Sequence, residues 1–365
     1  MTDKINKIEN WLRNHDGRFA YIADPTNVYY LTHFKCNPHE RFLGLFVFPD
    51  HEPFMVCPEL EVGQAQASAF GREVIGYRDD QDPWTFVRAA LESRKSVSGK
   101  IYLEPSTLPY SKALALKTLY DDVSFASIEN LLASMRNIKD RSELAAMKKA
   151  GEIADYAVGL GIKAIKKGRT ERAIIAEIEY GLAKHGYSEM AFDTMVLTGE
   201  NSAAPHGYPS TRQIKEGDFI LFDLGVVVDG YCSDITRTVC YKYASDEQRK
   251  MYQTCLQANM DSIKAAQQGL RIGDLDGVAR QIITDAGYGD YFTHRLGHGL
   301  GLGEHEEPSM SAANDSKLTT GMVFTIEPGI YVPGVGGVRI EDDVYLSEDG
   351  PVTLTHYPKE LQIIS

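Results

Sequence analysis

The sequence predicts a two-part α+β chain whose second part uses one helix-and-strand unit twice. Residues 1–135 mix short apolar runs with helical patterns, and near Arg136-Asn137-Ile138-Lys139 the pattern changes to long helices followed by strands. From that point the order helix, helix, strands is read through two times. The strand-like stretches of the second part also carry carboxylates where an apolar core is expected, beginning with FDLGVVVDGYCSDITRT at 222–238.

The elements follow in order. Ile5–Asn14 reads as an opening helix, and FAYIADP (19–25), FLGLFVFPD (42–50) and PFMVCP (53–58) read as β-rich runs. Pro49-Asp50-His51-Glu52 supplies the turn between the last two. Helical patterns over Pro83–Ser93 and Ser111–Tyr120 complete an α/β N-terminal domain, 1–135. In the second domain, 136–365, Asp140 with Glu143 forms a capping box ahead of Leu144, Met147, Ala150, Ala154 and Val158 at helical spacing. Ser245 with Gln248 does the same ahead of Met251, Leu256, Met260 and Ile263.

The repeat is visible in aligned residues. KKGRTERAIIAEIEYGLAKHGY (166–187) matches QQGLRIGDLDGVARQIITDAGY (267–288) at an offset of 101, pairing Gly168, Gly186 and Tyr187 with Gly269, Gly287 and Tyr288. EGDFILFDLG (216–225) matches TGMVFTIEPG (320–329) at an offset of 104, which sets Asp223 against Glu327. GYCSD (230–234) matches GVRIE (337–341), which sets Asp234 against Glu341. Each half therefore supplies two carboxylates at equivalent places, and a pseudo-two-fold domain with its site between the halves is expected.

Asp229-Gly230 between apolar runs signals a two-residue hairpin turn, since both turn positions need positive φ. That turn sets Val228 opposite Tyr231 and Gly225 opposite Asp234, so Asp223 and Asp234 become diagonal neighbours on one face. Ionised carboxylates there repel and lose hydration, and need protons, arginines or cations in compensation. An ion-pair network with Arg237 and Arg339 alone is a poor match for four acids. Four acids plus an imidazole describe a binuclear metal site, whose oxygen-rich donor set suits Mn²⁺, Co²⁺ or Zn²⁺. The imidazole is expected from HRLGHGLGLGEHEEP (294–308), which holds His294, His298 and His305. Its glycines favour a loop or bent strand over a helix, and Ser309 stands where an HExxH motif needs its second histidine. His206, in the Gly/Pro/Ser-rich loop before the hairpin, is a further candidate for lining the site.

Composition limits the partners. Net charge is −13 across 365 residues, with no basic stripe, which argues against nucleic acid and anionic membrane surfaces. No run of 18 apolar residues exists to span a membrane. The N-terminus lacks an apolar leader region, and the five cysteines are scattered without CxxC spacing, so a cytoplasmic protein with reduced thiols is expected.

An aspartate pair ten residues apart, a glycine-flanked histidine and two glutamates, in that order, resemble the pita-bread metallopeptidases, which include methionine aminopeptidase, aminopeptidase P and prolidase. The resemblance implies a pita-bread domain at 136–365 and a creatinase-like N-terminal domain at 1–135. The latter sets the methionine aminopeptidases aside. Creatinase shares the fold without the metal ligands. HRLGHGLG, HEEPS, TIEPGIY and GVRIED resemble the short prolidases of lactic-acid bacteria and related Gram-positives. The implied metal ligands are Asp223, Asp234, His298, Glu327 and Glu341, holding two divalent ions, manganese first and cobalt or zinc after it. The implied reaction is hydrolysis of Xaa-Pro dipeptides by a metal-bridged hydroxide, with Glu327 carrying the proton and His206, His294 and His305 donating to substrate or oxyanion. Arg339 would orient the ligands, with Tyr331 beside it. Many prolidases place an arginine after HExP; here Ser309 stands there, so Arg295 becomes the candidate for the substrate carboxylate, together with Arg41. The loop CNPHERF (36–42) resembles one that reaches the partner's site in a homodimer, which implies roles for His39, Glu40 and Arg41. The alternatives are an aminopeptidase P acting on longer peptides and a non-catalytic binding scaffold.

Overall fold

Local signals account for most of the elements. The computed structural model describes residues 2–94, 99–120 and 123–365, and its contacts separate Met1–Met135 from Arg136–Ser365. The first unit runs α1 (Thr2–Asn14), β1 (Gly17–Ile22), α2 (Pro25–Thr32), β2 (Gly44–Val47), β3 (Phe54–Pro58), α3 (Val62–Ala67), β4 (Glu73–Tyr77), α4 (Pro83–Ser93), β5 (Lys100–Leu103), α5 (Tyr110–Lys117), β6 (Phe125–Ser127) and α6, which crosses the boundary (Glu129–Asn137). The strands form one mixed sheet in the order β4-β3-β2-β1-β5-β6. Phe46 faces Phe54 across the β2–β3 hairpin, which leaves Pro49–Glu52 in its turn. Stacked rings of Tyr21, Phe46 and Phe54 fill the core, with centroids 4.9 and 4.6 Å apart. Helix α2 was not anticipated: Asp24 accepts from the amides of Thr26 and Asn27, and Pro25 occupies the first turn, where no N–H is missed.

The second unit begins with α7 (Arg141–Ala164) on the Asp140–Glu143 capping box, followed by α8 (Glu171–Lys184). Strands β7 (Met195–Thr198), β8 (Phe219–Leu224), β9 (Val227–Val228), β10 (Tyr231–Cys232) and β11 (Ile235–Tyr241) follow. The pattern then restarts. Helix α9 (Asp246–Ala265) rises from the Ser245–Gln248 capping box, α10 (Ile272–Asp285) follows, and then come β12 (Gly297–Gly299), β13 (Glu306–Met310), β14 (Val323–Ile326), β15 (Gly329–Val332), β16 (Gly336–Arg339), β17 (Asp342–Ser347), β18 (Gly350–Thr353) and β19 (Ile363–Ile364).

The repeat survives in three dimensions. Both ends of α8 fall 101 residues before the ends of α10. The sheets run β19-β11-β8-β7 and β13-β12-β14-β17-β18, so β7-β8-β11 and β12-β14-β17 occupy matching places. Matched glycines share left-handed geometry: φ is 78° at Gly168 and 84° at Gly269, and 85° at Gly186 and 91° at Gly287. Helices α7 and α8 bury Ala154, Val158, Ile174 and Ile178 against Ile220 and Phe222 of the first sheet. Helices α9 and α10 bury Cys255, Leu275 and Ile283 against Phe324 and Val344 of the second. Helix α9 differs from expectation in its buried face. Met260 is 52% exposed, while Met251, Cys255, Asn259 and Ser262 point inward, because Asn259 donates to the Ile326 and Ile340 carbonyls and is satisfied there.

Candidate metal centre

The Asp229-Gly230 turn forms with φ of 49° and 80°. Val228 lies opposite Tyr231, and beyond the ribbon Leu224 lies opposite Ile235, the register that a two-residue turn dictates. A short ribbon thus interrupts a longer hairpin, with Asp223 on one side of it and Asp234 on the other. The second half repeats the device: ribbon β15–β16 sits between Glu327, just after β14, and Glu341, just before β17. All four carboxylates line one cavity of about 630 Å³, together with His206, His294, Arg295, His298, His305 and Arg339. That volume suits a small ligand.

Each carboxylate has a different neighbour. The Arg339 guanidinium donates to Asp223 and, through Nε, to Thr236 Oγ1 at 3.0 Å. Thr236 Oγ1 donates to Glu341 Oε2 at 2.6 Å. Thr325 Oγ1 donates to Glu327 Oε1 at 3.3 Å and accepts from the His298 amide at 3.1 Å. Asp234 receives no such support at Oδ1, which is buried without a hydrogen-bond partner. Burial raises the Asp234 carboxyl well above its usual pKa, and Glu341, Asp223, Asp343 and Glu327 push it further. Burial also raises Glu341, with Glu327 and Asp223 adding to it. Glu327 reaches about 7, burial leading and the Arg339 charge opposing.

His298 completes the set. Its Nδ1 lies 3.1 Å from the Gly299 carbonyl and donates to it, which leaves Nε2 as the unprotonated nitrogen, 3.4 Å from Glu327 and 3.7 Å from Asp234. Burial first, then the neighbouring His305, lowers its pKa to about 3. Donor atoms of Asp234, His298 and Glu341 lie within 4.8 Å of one another. An orphaned carboxylate oxygen, crowded buried acids and an imidazole aimed at them fit a hard divalent cation.

The other candidates separate. His206 and His305 line the cavity; the His305 ring meets the His298 ring edge-on at 4.1 Å between centroids. His294 also lines it, but both its nitrogens are engaged. Nδ1 donates to the Arg295 carbonyl at 2.8 Å, and Nε2 lies 3.0 Å from the Tyr331 hydroxyl, which itself accepts from Arg339 at 2.7 Å. Burial lowers the His294 pKa to about 4, so the neutral ring accepts from Tyr331. The expected role of His294 as a donor to substrate thus finds no free N–H in this arrangement. Arg295 lines the cavity, and its Nη1 donates to Ser309 Oγ at 3.1 Å, so Ser309 meets the cavity through Arg295. In the N-terminal unit, Arg41 donates through two nitrogens to Asp79, at 2.8 and 3.0 Å, and His39 has a φ of 51°.

The sequence reading missed Thr236 and Thr325, although each stands two residues from a candidate ligand and therefore on its face of the strand. It also missed Met195, at the start of β7, and Phe192, Glu304 and the 90% exposed Tyr208, which line the cavity from loops. Asp343, which accepts from the Asp234 amide at 2.9 Å, carried no signal beyond its place in the acidic run EDD. All five cysteines are buried and free. Among the described residues no helix is long and apolar enough to cross a membrane.

Comparison with known proteins matches residues 145–348 to the family "Metallopeptidase family M24" and residues 4–138 to the "Creatinase/Prolidase N-terminal domain". A putative dipeptidase of Bacillus subtilis is 50% identical over 362 residues, 99% of this chain and 100% of the relative. An Xaa-Pro dipeptidase of Lactobacillus delbrueckii subsp. lactis is 42% identical over 362 residues, 99% of this chain and 98% of the relative. Among solved structures, recombinant prolidase from Thermococcus sibiricus is 35% identical with a TM-score of 0.92, covering 99% of this chain and 98% of that one.

Proposed function

The chain belongs to metallopeptidase family M24, and from that premise we propose that it is a metal-dependent Xaa-Pro dipeptidase, hydrolysing the bond between an N-terminal residue and a C-terminal proline. The observation that carries the reading is the buried cluster of Asp234, His298 and Glu341, with Asp234 Oδ1 left partnerless, in a cavity that also holds Arg295.

Asp223, Asp234, His298, Glu327 and Glu341 would hold two divalent ions, with manganese as the resident metal and cobalt or zinc as substitutes. Such ions supply positive charge that offsets the carboxylates, lowers the pKa of water and polarises the scissile carbonyl. Glu327 takes the proton of the attacking water and passes it to the proline nitrogen, as base and then acid. His206 and His305 donate to the carbonyl oxygen as charge develops on it. Arg339 orients Asp223 directly and Glu341 through Thr236, and its bond to Tyr331 fixes His294, whose Nδ1–H in turn holds the Arg295 carbonyl. Arg295, steadied by Ser309, receives the carboxylate of the substrate proline. The enzyme works in the cytoplasm as a homodimer, with His39, Glu40 and Arg41 belonging to the partner's site.

Proline release tests this. Metal-stripped protein resupplied with Mn²⁺, Co²⁺ or Zn²⁺ is expected to cleave Leu-Pro and to leave Leu-Pro-Gly intact. Preferential cleavage of the tripeptide would make the enzyme an aminopeptidase P and remove the role given to Arg295. No cleavage with any metal would return the cluster to a binding scaffold.

A further inference from the structure

Glu171 is the first residue of α8, and no step above uses it, yet it is 0% exposed. Five donor groups converge on its carboxylate. Oε1 accepts from the Thr198 amide at 2.7 Å, from Thr198 Oγ1 at 3.0 Å and from Asn201 Nδ2 at 3.0 Å. Oε2 accepts from the Ser210 amide at 2.7 Å and from Ser210 Oγ at 2.8 Å. Thr198 ends β7 and Ser210 lies twelve residues on, so one carboxylate joins both ends of a single segment. That segment carries Pro205, His206, Gly207 and Tyr208 into the cavity wall. Among the described residues the His206 imidazole makes no hydrogen bond or ion pair, so the backbone of the segment sets its place.

Helix α8 starts without help from this carboxylate. Thr170 caps α8 by accepting from the Ala173 amide, independently of Glu171. The repeat supplies an internal control. The residue 101 positions later, the first of α10, is Ile272, which is 0% exposed in an apolar core. One half of the domain thus buries an aliphatic side chain where the other buries a charge. The matching connection of the other half, 300–322, brings Glu304 and His305 to the cavity with no carboxylate at that helix position. Burying a carboxylate is costly unless its oxygens are satisfied, and here five donors satisfy them.

We propose that Glu171 is a positioning residue for the dipeptidase reaction, pinning both ends of the 198–210 segment so that His206 meets the substrate at a fixed place. The inference rests on the reading above, in which His206 donates to the developing oxyanion. Gly337 donates to Ser202 Oγ at 2.8 Å and holds the segment near its start, whereas Glu171 ties its start to its end.

The test is Glu171→Gln, which keeps the size and turns one acceptor oxygen into an NH₂ group facing N–H donors. Amide hydrogen exchange over 198–210 is expected to speed up while α9 and α10 keep their protection. For Leu-Pro, kcat is expected to fall about 10- to 100-fold with KM changed less than about 3-fold, since misplacing a reacting group costs turnover before binding. In a His206→Ala background the same substitution is expected to cost almost nothing more. Ser210→Ala, which removes one donor to Glu171 together with the acceptor for Asn201 Nδ2 and the Arg212 amide, leaves the Ser210 amide on Glu171; it is expected to act in the same direction more weakly, and it carries the test should Glu171→Gln fail to fold. Equal losses of kcat with and without His206, or unchanged exchange over 198–210, would overturn the proposal. Should the parent protein release no proline, the exchange result still decides the pinning, and the failure falls on the activity.

Discussion

Replacing Asp234 by asparagine is expected to make the metal-free protein more stable and the metal-loaded protein less so. In the metal-free wild type, Oδ1 of Asp234 has no partner, and Glu341, Asp223, Asp343 and Glu327 crowd it. A buried polar atom left unpaired costs about 1–3 kcal/mol. Asparagine keeps the shape, removes the charge and offers two N–H donors to the surrounding carboxylates. The gain of about 1–3 kcal/mol corresponds to roughly 2–10 °C in Tm for a domain of this size. The pH dependence has a definite sign. A carboxyl whose folded pKa exceeds its unfolded one keeps a proton that the unfolded chain releases, so stability falls as pH rises from the unfolded value towards the folded one. Asparagine lacks that loss, and the gap between variant and wild type widens upward from about pH 4. Ions that bind only the folded state add about 2.7 kcal/mol at 100 times their Kd, and a protein missing one ligand gains less. Thermal melts of stripped protein, with and without Mn²⁺, across about pH 5 to 8 read both effects. A stripped variant that melts below stripped wild type refutes the account of repulsion. Equal gains from Mn²⁺ refute Asp234 as a ligand.

Three further outcomes are expected. Arg295→Ala removes a charged hydrogen bond worth about 1.5–3 kcal/mol and should raise KM for Leu-Pro about 10- to 100-fold with a smaller effect on kcat; an unchanged KM places the substrate carboxylate elsewhere. Burial lifts Glu104 in the N-terminal unit to about 7, against the pull of amide donors from Asp24 and Ala23, so the wild type should lose roughly 3 kcal/mol between about pH 4.5 and 7. Glu104→Gln should flatten that slope in urea unfolding, and parallel slopes would refute it. A Cβ at Gly337 would stand 1.9 Å from the Ser202 carbonyl, so Gly337→Ala should lower Tm and raise exchange over 198–210 together; a native-like melt and exchange pattern would count against that contact.

Legibility in the sequence followed the range of the interaction. The Asp-Gly turn, both capping boxes and the glycines of the repeat are local rules, and each element they mark lies where its residues indicate. The carboxylates were readable because acids in apolar strands are conspicuous and because the repeat pairs them. Strand β6 is only Phe125–Ser127, too short to show a period, and the exposed edge strand β4 buries only Tyr77. The inward turn of Asn259 depends on carbonyls 67 and 81 residues away, and the engagement of His294 depends on Tyr331. Glu171 looked like an ordinary first-turn acid, and its donors come from a segment 27 to 39 residues on.

The duplicated hairpin has a consequence for the life of the chain before it is complete. Asp223 and Asp234 leave the ribosome about a hundred residues ahead of Glu327 and Glu341, with His298 in between. Neither hairpin alone brings the four carboxylates together, and the Arg339 that clasps Asp223 arrives only with the second. The nascent protein therefore passes through most of its synthesis without the means to cut peptides. Proteolytic competence appears late and all at once, as a property of the joined halves rather than of either one.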